Sequence, residues 1–487
     1  MNGIIAMTTG LWLAHWPAWN VVPGNPEAIR MKLTAADSLP ASASGPTSRG
    51  IAERLAASPL GSRLARGMFW TLSGALIARG LGLVAAVFTA RLLGREGFGE
   101  LGAIQSTVAM FSSFAGFGLG LTATKHVAEC RNEDPARAGR IITLSGLVAA
   151  ISGAIMALGL LLFSVPLAKH SLAAPHLSML LQISAGLIFL GALNGAQVGA
   201  LSGLEAFRTI ARVNLWNGLA SFPILIAGVW WGGLVGAVWG LVASLGVNWL
   251  LNHLALRAEA RRANVPLGFA ELHDGAWRRE SGILWRFSVP AMLCSFMVLP
   301  VHWLCTALLA HQPAGYAEMG VFNAANQWRT ANLFVPQAMA GIVLPALAGL
   351  HGEPNRRRYL RIFWSNVALI GGVAAALALG VVLFSDVIIH SYGASFSEGR
   401  STLILLALSA VVLSVNQVLG VDLISRGRMW QVLGCNIAWA GTLLSLAWWL
   451  VPLHGARGLS IALLAAYPVQ SIFMLTLNVK EAPHLRS

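Results

Sequence analysis

The basic residues of this 487-residue chain are sorted between alternate loops of about twelve hydrophobic spans, and that sorting constrains both the solvent of the fold and its orientation. Of 33 Lys and Arg, 26 fall on one side, including Arg137 and Arg140, Arg208 and Arg212, Arg257, Arg261 and Arg262, and Arg356, Arg357, Arg358 and Arg361. Five fall on the other side, namely Arg91, Arg95, Lys169, Arg400 and Arg457, and two, Arg79 and Arg329, fall inside spans. Cationic loops resist translocation, so the crowded side is cytoplasmic and both termini are inside.

Composition agrees with a chain whose solvent is mostly lipid. Hydrophobic residues make up 56% of it, charged residues only 11%, and the mean hydropathy is +0.67. A net charge of +14 points to nucleic acid in a soluble protein, but here most of the excess is the topology signal, so nucleic-acid binding is excluded. The four cysteines, Cys130 in a cytoplasmic loop and Cys294, Cys305 and Cys435 within spans, predict neither a disulfide nor a cysteine-bound metal.

Windows long enough to cross about 30 Å of hydrocarbon fall near 68–93, 99–121, 141–165, 177–202, 209–231 and 233–256. A second set falls near 284–310, 317–345, 361–385, 401–425, 428–452 and 457–478. The predicted fold is therefore an all-α polytopic membrane protein, with about twelve transmembrane helices in two pseudo-symmetric six-helix bundles around a central cavity. Its expected parts are a disordered tail over 1–62, a first bundle over 63–256, a cytoplasmic linker over 257–283, a second bundle over 284–480 and a short tail over 481–487. A start at Met31 is an alternative to the longer tail.

An internal repeat supports the division. The first half turns from span one to span two through Ala90-Arg-Leu-Leu and then Gly97-Phe98-Gly99-Glu100-Leu101-Gly102. The second half turns from span seven to span eight through Thr306-Ala-Leu-Leu and then Gly315-Tyr316-Ala317-Glu318-Met319-Gly320. Six spans per repeat is an even number, so both halves enter from the same side and the repeat is parallel, with a site expected between the halves.

Arg79, about 16 Å into span one, and Arg329, about thirteen residues into span eight, each cost about 2.5 to 3.5 kcal/mol unless they meet water, a counter-charge or an anion. A structural ion pair is one reading. No carboxylate lies at matching depth, which favours a substrate-facing role. Arg329 also sits in a polar run in which Asn323, Asn326, Gln327, Thr330 and Gln337 share about a third of the helix circumference. Gln105 aligns with Asn323 in the repeat. Such amides either glue helices together or line a water-filled cavity, and beside Arg329 the cavity is the expected reading. His302 is expected to be an ordinary buried histidine, with titration in a transport cycle as the alternative. Pro290, Pro300, Pro336 and Pro345 mark spans seven and eight as the helices expected to bend.

No Walker A sequence, clustered metal ligand set or nucleophile motif is present, so an ATP-driven pump is not encoded and no cofactor is expected. Outer loops of about a dozen residues or fewer leave little room for a polytopic glycosyltransferase or polymerase site.

The segment Ala90-Arg-Leu-Leu-Gly-Arg-Glu-Gly-Phe-Gly-Glu-Leu-Gly102, with Gly118-Leu-Gly-Leu-Thr-Ala-Thr-Lys-His-Val-Ala-Glu129, resembles the polysaccharide-transport (Wzx-type) flippases of the multidrug, oligosaccharidyl-lipid and polysaccharide exporter superfamily. The layout resemblance runs over about residues 63 to 480, the specific motif over the first two spans. Where such proteins often carry Pro in the first outer turn, this chain has Arg95-Glu96. The resemblance implies a V-shaped cavity between two bundles and alternating access driven by a proton or sodium gradient or by membrane potential. It also implies movement of an undecaprenyl-diphosphate-linked oligosaccharide from the cytoplasmic to the periplasmic leaflet of the bacterial inner membrane, with polysaccharide polymerase or assembly proteins as partners.

In that frame Arg79 and Arg329 are the expected holders of a diphosphate with about two negative charges, while Gln105, Asn323, Asn326 and Gln327 meet sugar hydroxyls. The rival from the same superfamily is a cation-coupled multidrug exporter, which two central arginines and no central carboxylate disfavour. A peptidoglycan-precursor flippase would bring two further helices, and a membrane scaffold would need neither buried arginine.

Overall fold

Backbone groups within a bilayer must be satisfied inside their own segment, and the Ala-, Leu-, Val- and Gly-rich spans accordingly form helices. The computed structural model describes residues 59–115, 119–268, 297–348, 356–425 and 428–480. The order is α1 (Pro59–Ala115), α2 (Leu119–Cys130), α3 (Pro135–Pro166), α4 (Ser178–Gly203), α5 (Phe207–Arg262), α6 (Val298–Ala310), α7 (Gly315–Ala348), α8 (Arg356–Leu383), α9 (Ser385–Tyr392), α10 (Arg400–Ser425) and α11 (Met429–Lys480). The expected tail over 1–62 lies largely outside the described residues, as do 269–283 of the expected linker and 284–296 of span seven, with Pro290.

Among the described residues, seven helical stretches are long and apolar enough to cross a membrane. Three of them, α1, α5 and α11, each contain one non-helical residue, Gly94, Gly233 and Gly455 respectively, so each is a pair of limbs that goes out and returns. These residues stand at the turns expected between spans one and two, five and six, and eleven and twelve. Gly233 (φ 53°, ψ −132°) and Gly455 (φ 52°, ψ −129°) adopt nearly the same left-handed conformation, which a side chain would oppose. The same reversal thus recurs at corresponding places in the two repeats. α7 is not among the seven because the amide-rich run around Arg329 lowers its hydropathy, and α6 is a shorter apolar helix. Two boundaries move: α1 starts at Pro59 rather than near 68, and α5 continues to Arg262, past the expected 256.

The outer surface is that of a chain in lipid. Leu162, Leu383 and Val387 are each about 70% exposed. Trp230 and Trp231 just before Gly233, and Trp448 and Trp449 a few residues before Gly455, are exposed too, forming aromatic pairs where the outer interface of the bilayer is expected.

Packing is asymmetric across the membrane. One apolar core runs through both halves, from Phe98, Ile104 and Leu181 to Met319, Phe396 and Leu459. Away from the Gly94, Gly233 and Gly455 turns the core divides. One cluster there, around Val127, Ile142, Leu201 and Leu256, belongs to the first half alone, and another, around Phe363, Leu419, Val432 and Met474, to the second half alone. Two bundles joined at one end and separately packed at the other make a V that opens on the side opposite the Gly94, Gly233 and Gly455 turns.

Candidate functional site

The mouth of the V is flanked by α1 and α7, which carry the two intramembrane arginines. Arg79 precedes the Gly94 turn by fifteen residues and Arg329 follows Gly315 by fourteen, so the two lie about 22 Å and 21 Å inward of the outer turns at 1.5 Å per residue. They occupy one level, in the half of a core about 30 Å thick that lies away from those turns. Counted from the Gly94 turn, Arg79 thus lies beyond the bilayer centre expected from its distance to the start of span one.

The two side chains differ in their surroundings. Arg79 is half-buried, and among the described residues its guanidinium has neither an ion pair nor a hydrogen bond. Its neighbour Ala78 packs on Gly218 of α5, which ties this stretch of α1 to the first bundle. Arg329 is only 7% exposed and is held inside the second bundle. Its Nη2 donates to the Tyr467 hydroxyl, its Nη1 donates to Asn326 Oδ1 at 3.0 Å, and its Cζ lies 5.5 Å from the Tyr467 ring centroid. Arg329 Nε has no partner and is buried.

Behind Tyr467 stands a polar network that the sequence pattern does not announce. Trp439 stacks on the Tyr467 ring at 5.9 Å, and His302 lies 5.6 Å from Trp439. Asn416 Nδ2 donates to the Tyr467 carbonyl at 2.9 Å and to Gln470 Oε1 at 3.0 Å, while Gln470 Nε2 donates to Asn436 Oδ1 at 2.9 Å. A parallel set in the first bundle links Asn252 to Asn194 and Asn248, each at 3.1 Å. These amides bridge helices of one bundle, as polar groups in lipid commonly do. The chain has only four tyrosines, so one in the middle of an apolar span was the available signal for Tyr467.

The remaining expected residues lie on the seam between α1 and α7. Asn323 packs against Gly102, where any Cβ would overlap its amide, and Asn323 Nδ2 is buried without a partner. Gln105, one turn on from Gly102, is half-buried on the same stretch of α1. Asn326 is engaged by Arg329, and Gln327 is half-buried with no side-chain hydrogen bond among the described residues. Asn326 and Arg329 are thus brought into contact, whereas Arg79 stands apart from them in the opposite half. A separate apolar cavity of about 430 Å³ opens between α6 and α11, lined by Trp303, Leu304, Leu308 and Trp448, and contains neither arginine.

On the side of the Gly94 and Gly455 turns the halves are closed on each other. Arg95 of α1 donates from Nη2 to Glu318 Oε1 at 2.5 Å, from Nη1 to Glu398 Oε2 at 3.0 Å and from Nε to the Ala317 carbonyl at 3.0 Å. Arg91 Nε donates to the Ser391 carbonyl at 2.6 Å and the Tyr316 hydroxyl to the Leu172 carbonyl at 2.6 Å. Burial, and secondarily the charge of Glu100, raises the Tyr316 phenol above its ordinary pKa, so it stays a donor.

Comparisons with known proteins place this architecture. The chain is 26% identical to the EPS I polysaccharide export inner membrane protein EpsE of Ralstonia nicotianae, over 85% of this chain and 94% of that protein. It is 24% identical to the Lipid III flippase of Escherichia coli, over 83% of this chain and 96% of that protein. Its fold matches the inward-facing conformation of a multidrug resistance MATE family transporter of the MOP superfamily with a TM-score of 0.71, at 16% identity, over 86% of this chain and all of that one. The family model described as polysaccharide biosynthesis protein matches residues 64–351, more than half of the sequence. The chain belongs to the polysaccharide biosynthesis protein family.

Proposed function

We propose that this protein is a flippase of the inner membrane that carries a polyprenyl-diphosphate-linked oligosaccharide from the cytoplasmic to the periplasmic leaflet by alternating access. The observation that carries the reading is Arg79, a guanidinium inside the membrane with no counter-charge of its own among the described residues. A cation in that position costs a few kcal/mol on an insertion scale, and an anionic cargo offsets the cost each time it binds. The level of Arg79, in the cytoplasmic half, suits a headgroup entering from the inner leaflet. The relatives that export polysaccharide and flip a lipid support the same cargo class.

In this reading Arg79 contacts the diphosphate directly. Arg329, with two donors already engaged, contributes positive potential and its remaining Nε–H. Gln105, Asn323, Asn326 and Gln327 offer amides to sugar hydroxyls along the α1–α7 seam. Bundles spanning 63–256 and 284–480 rock about the linker at 257–283, with both termini in the cytoplasm. A proton or sodium gradient or the membrane potential drives the cycle, and the product passes to a polysaccharide polymerase or assembly proteins.

Binding of undecaprenyl-diphosphate oligosaccharide to the purified protein in nanodiscs tests the assignment. Arg79→Gln is expected to weaken binding about tenfold, the loss of one charge-assisted contact, while leaving a neutral glycolipid unaffected. Equal affinity of both proteins for the diphosphate lipid overturns the role of Arg79. A wild type that takes cationic dyes and not the glycolipid identifies a drug exporter instead.

A further inference from the structure

We infer that the two copies of the repeated Gly-aromatic-x-Glu-aliphatic-Gly motif, bolted by Arg95, form the extracytoplasmic gate of this protein, and that breaking Arg95 away from Glu318 is the step that admits the outer solution. The motif was visible as a duplication, but a duplication does not say that its copies touch. They do. A Cβ on Gly99 would overlap the carbonyl oxygen of Tyr316, and a Cβ on Gly320 would overlap the carbonyl oxygen of Arg95, so each copy uses a glycine to let the other's backbone approach.

The charged groups sit on this contact. Glu318, the motif glutamate of the second copy, accepts from Arg95 on one oxygen and from the Ala456 backbone N–H on the other, at 2.9 Å. It therefore joins α1, α7 and the Gly455 turn of α11. Glu100, the motif glutamate of the first copy, takes His176 at 2.6 Å instead, within its own half. Arg95 and Glu318 are 19% and 27% exposed, wet enough to separate without stranding two buried charges, yet shielded more than a surface pair. Glu398, 76% exposed, is the weaker of the two carboxylates on Arg95.

Every described hydrogen bond between the halves lies on this side. Beneath the bolt come Ser106 with Thr306 at 3.2 Å and Trp303 with Thr107 at 3.0 Å. Around it, Phe98 packs on Tyr392 and Phe396, with ring centroids 6.4 Å and 6.3 Å apart. Nearer the cytoplasm the apolar cores of the two halves are separate. The hydrogen bonds named here that must break for an outward opening thus lie in one layer, whose ion pairs between the halves both converge on Arg95. The inference rests on the transport reading only for the purpose of the motion, not for the existence of the bolt.

The test uses the full chain with its four cysteines replaced and one reporter, Ser106→Cys, just beneath the bolt. Intact cells are treated from outside with a membrane-impermeant maleimide. The parent is expected to label slowly, and Arg95→Ala and Glu318→Gln about tenfold faster, whereas Glu398→Gln changes the rate less than twofold. The exchange of Arg95→Glu with Glu318→Arg is expected to return labelling toward the parent rate. Equal labelling of the parent and Glu318→Gln overturns the gate, and so does an exchanged pair that labels as fast as Arg95→Ala. Glu318→Gln keeps shape and the Ala456 contact, so it reports even if Arg95→Ala fails to accumulate. Labelling is read without glycolipid, so a failure of the flippase assay leaves this result standing, and the reverse holds.

Discussion

Arg329 donates to the hydroxyl of Tyr467, 138 residues further along the chain, and the two together tie α7 to the last limb of α11. This bond decides what a substitution at Arg329 means, because the guanidinium is buried in one bundle rather than open between two. Tyr467→Phe leaves one buried arginine donor unpaired and is expected to cost about 1 to 3 kcal/mol of stability. Thermal unfolding of the purified protein in lipid nanodiscs checks this, and an unchanged midpoint would show that the bond carries no weight.

The same geometry separates the two arginines by experiment. Arg329→Gln is expected to lower thermal stability, whereas Arg79→Gln, which loses no partner, is expected to unfold at the wild-type temperature or above it. Removing an uncompensated intramembrane charge relieves a cost of up to about 3 kcal/mol. A drop in stability at Arg79→Gln would mean that the residue is structural.

Much of this fold was legible in the sequence. Apolar length gave the spans, and Gly94, Gly233 and Gly455 stand at the expected reversals. Counting residues along helices put both Arg79 and Arg329 within spans, though it set Arg79 at mid-bilayer rather than further from the Gly94 turn. What the pattern leaves open is the register of one helix against another. Arg95 stood out in sequence as one of five cations on the sparse side and as half of the Arg95-Glu96 turn, and nothing local says that it meets Glu318, more than two hundred residues away. Likewise the amide stripe of α7 reads as a cavity lining, and nothing in it says that Asn326 also accepts from Arg329 or that Asn323 packs on Gly102. Interior polar contacts in lipid are set by which faces meet, and a period of 3.6 residues gives the face but not its partner.

Close approach of backbones at the outer layer makes its glycines sensitive to size. Gly99→Ala and Gly320→Ala each place a methyl against a carbonyl oxygen and are expected to push the halves apart at a cost of about 1 to 3 kcal/mol. The readout is external labelling of the Ser106→Cys reporter, which should rise in both variants. Gly372→Ala, which meets nothing within 4 Å, should label as the parent does.

Orientation is testable at four exposed basic positions. Single cysteines at Lys169 and Arg400 are expected to react with an impermeant maleimide on intact spheroplasts, and those at Arg208 and Arg257 only after permeabilisation. The opposite pattern would invert the topology and with it the direction in which the V opens.

The central question is whether the intramembrane guanidinium of Arg79 serves an anionic cargo. Translocation of an undecaprenyl-diphosphate-linked oligosaccharide across proteoliposomes, measured for wild type and Arg79→Gln at equal amounts of folded protein, addresses it. The expected result is robust transport by the wild type and a loss of about tenfold or more in the variant, with unfolding temperatures matched. Equal transport by the two proteins would contradict the account and leave Arg79 without a part in moving the lipid.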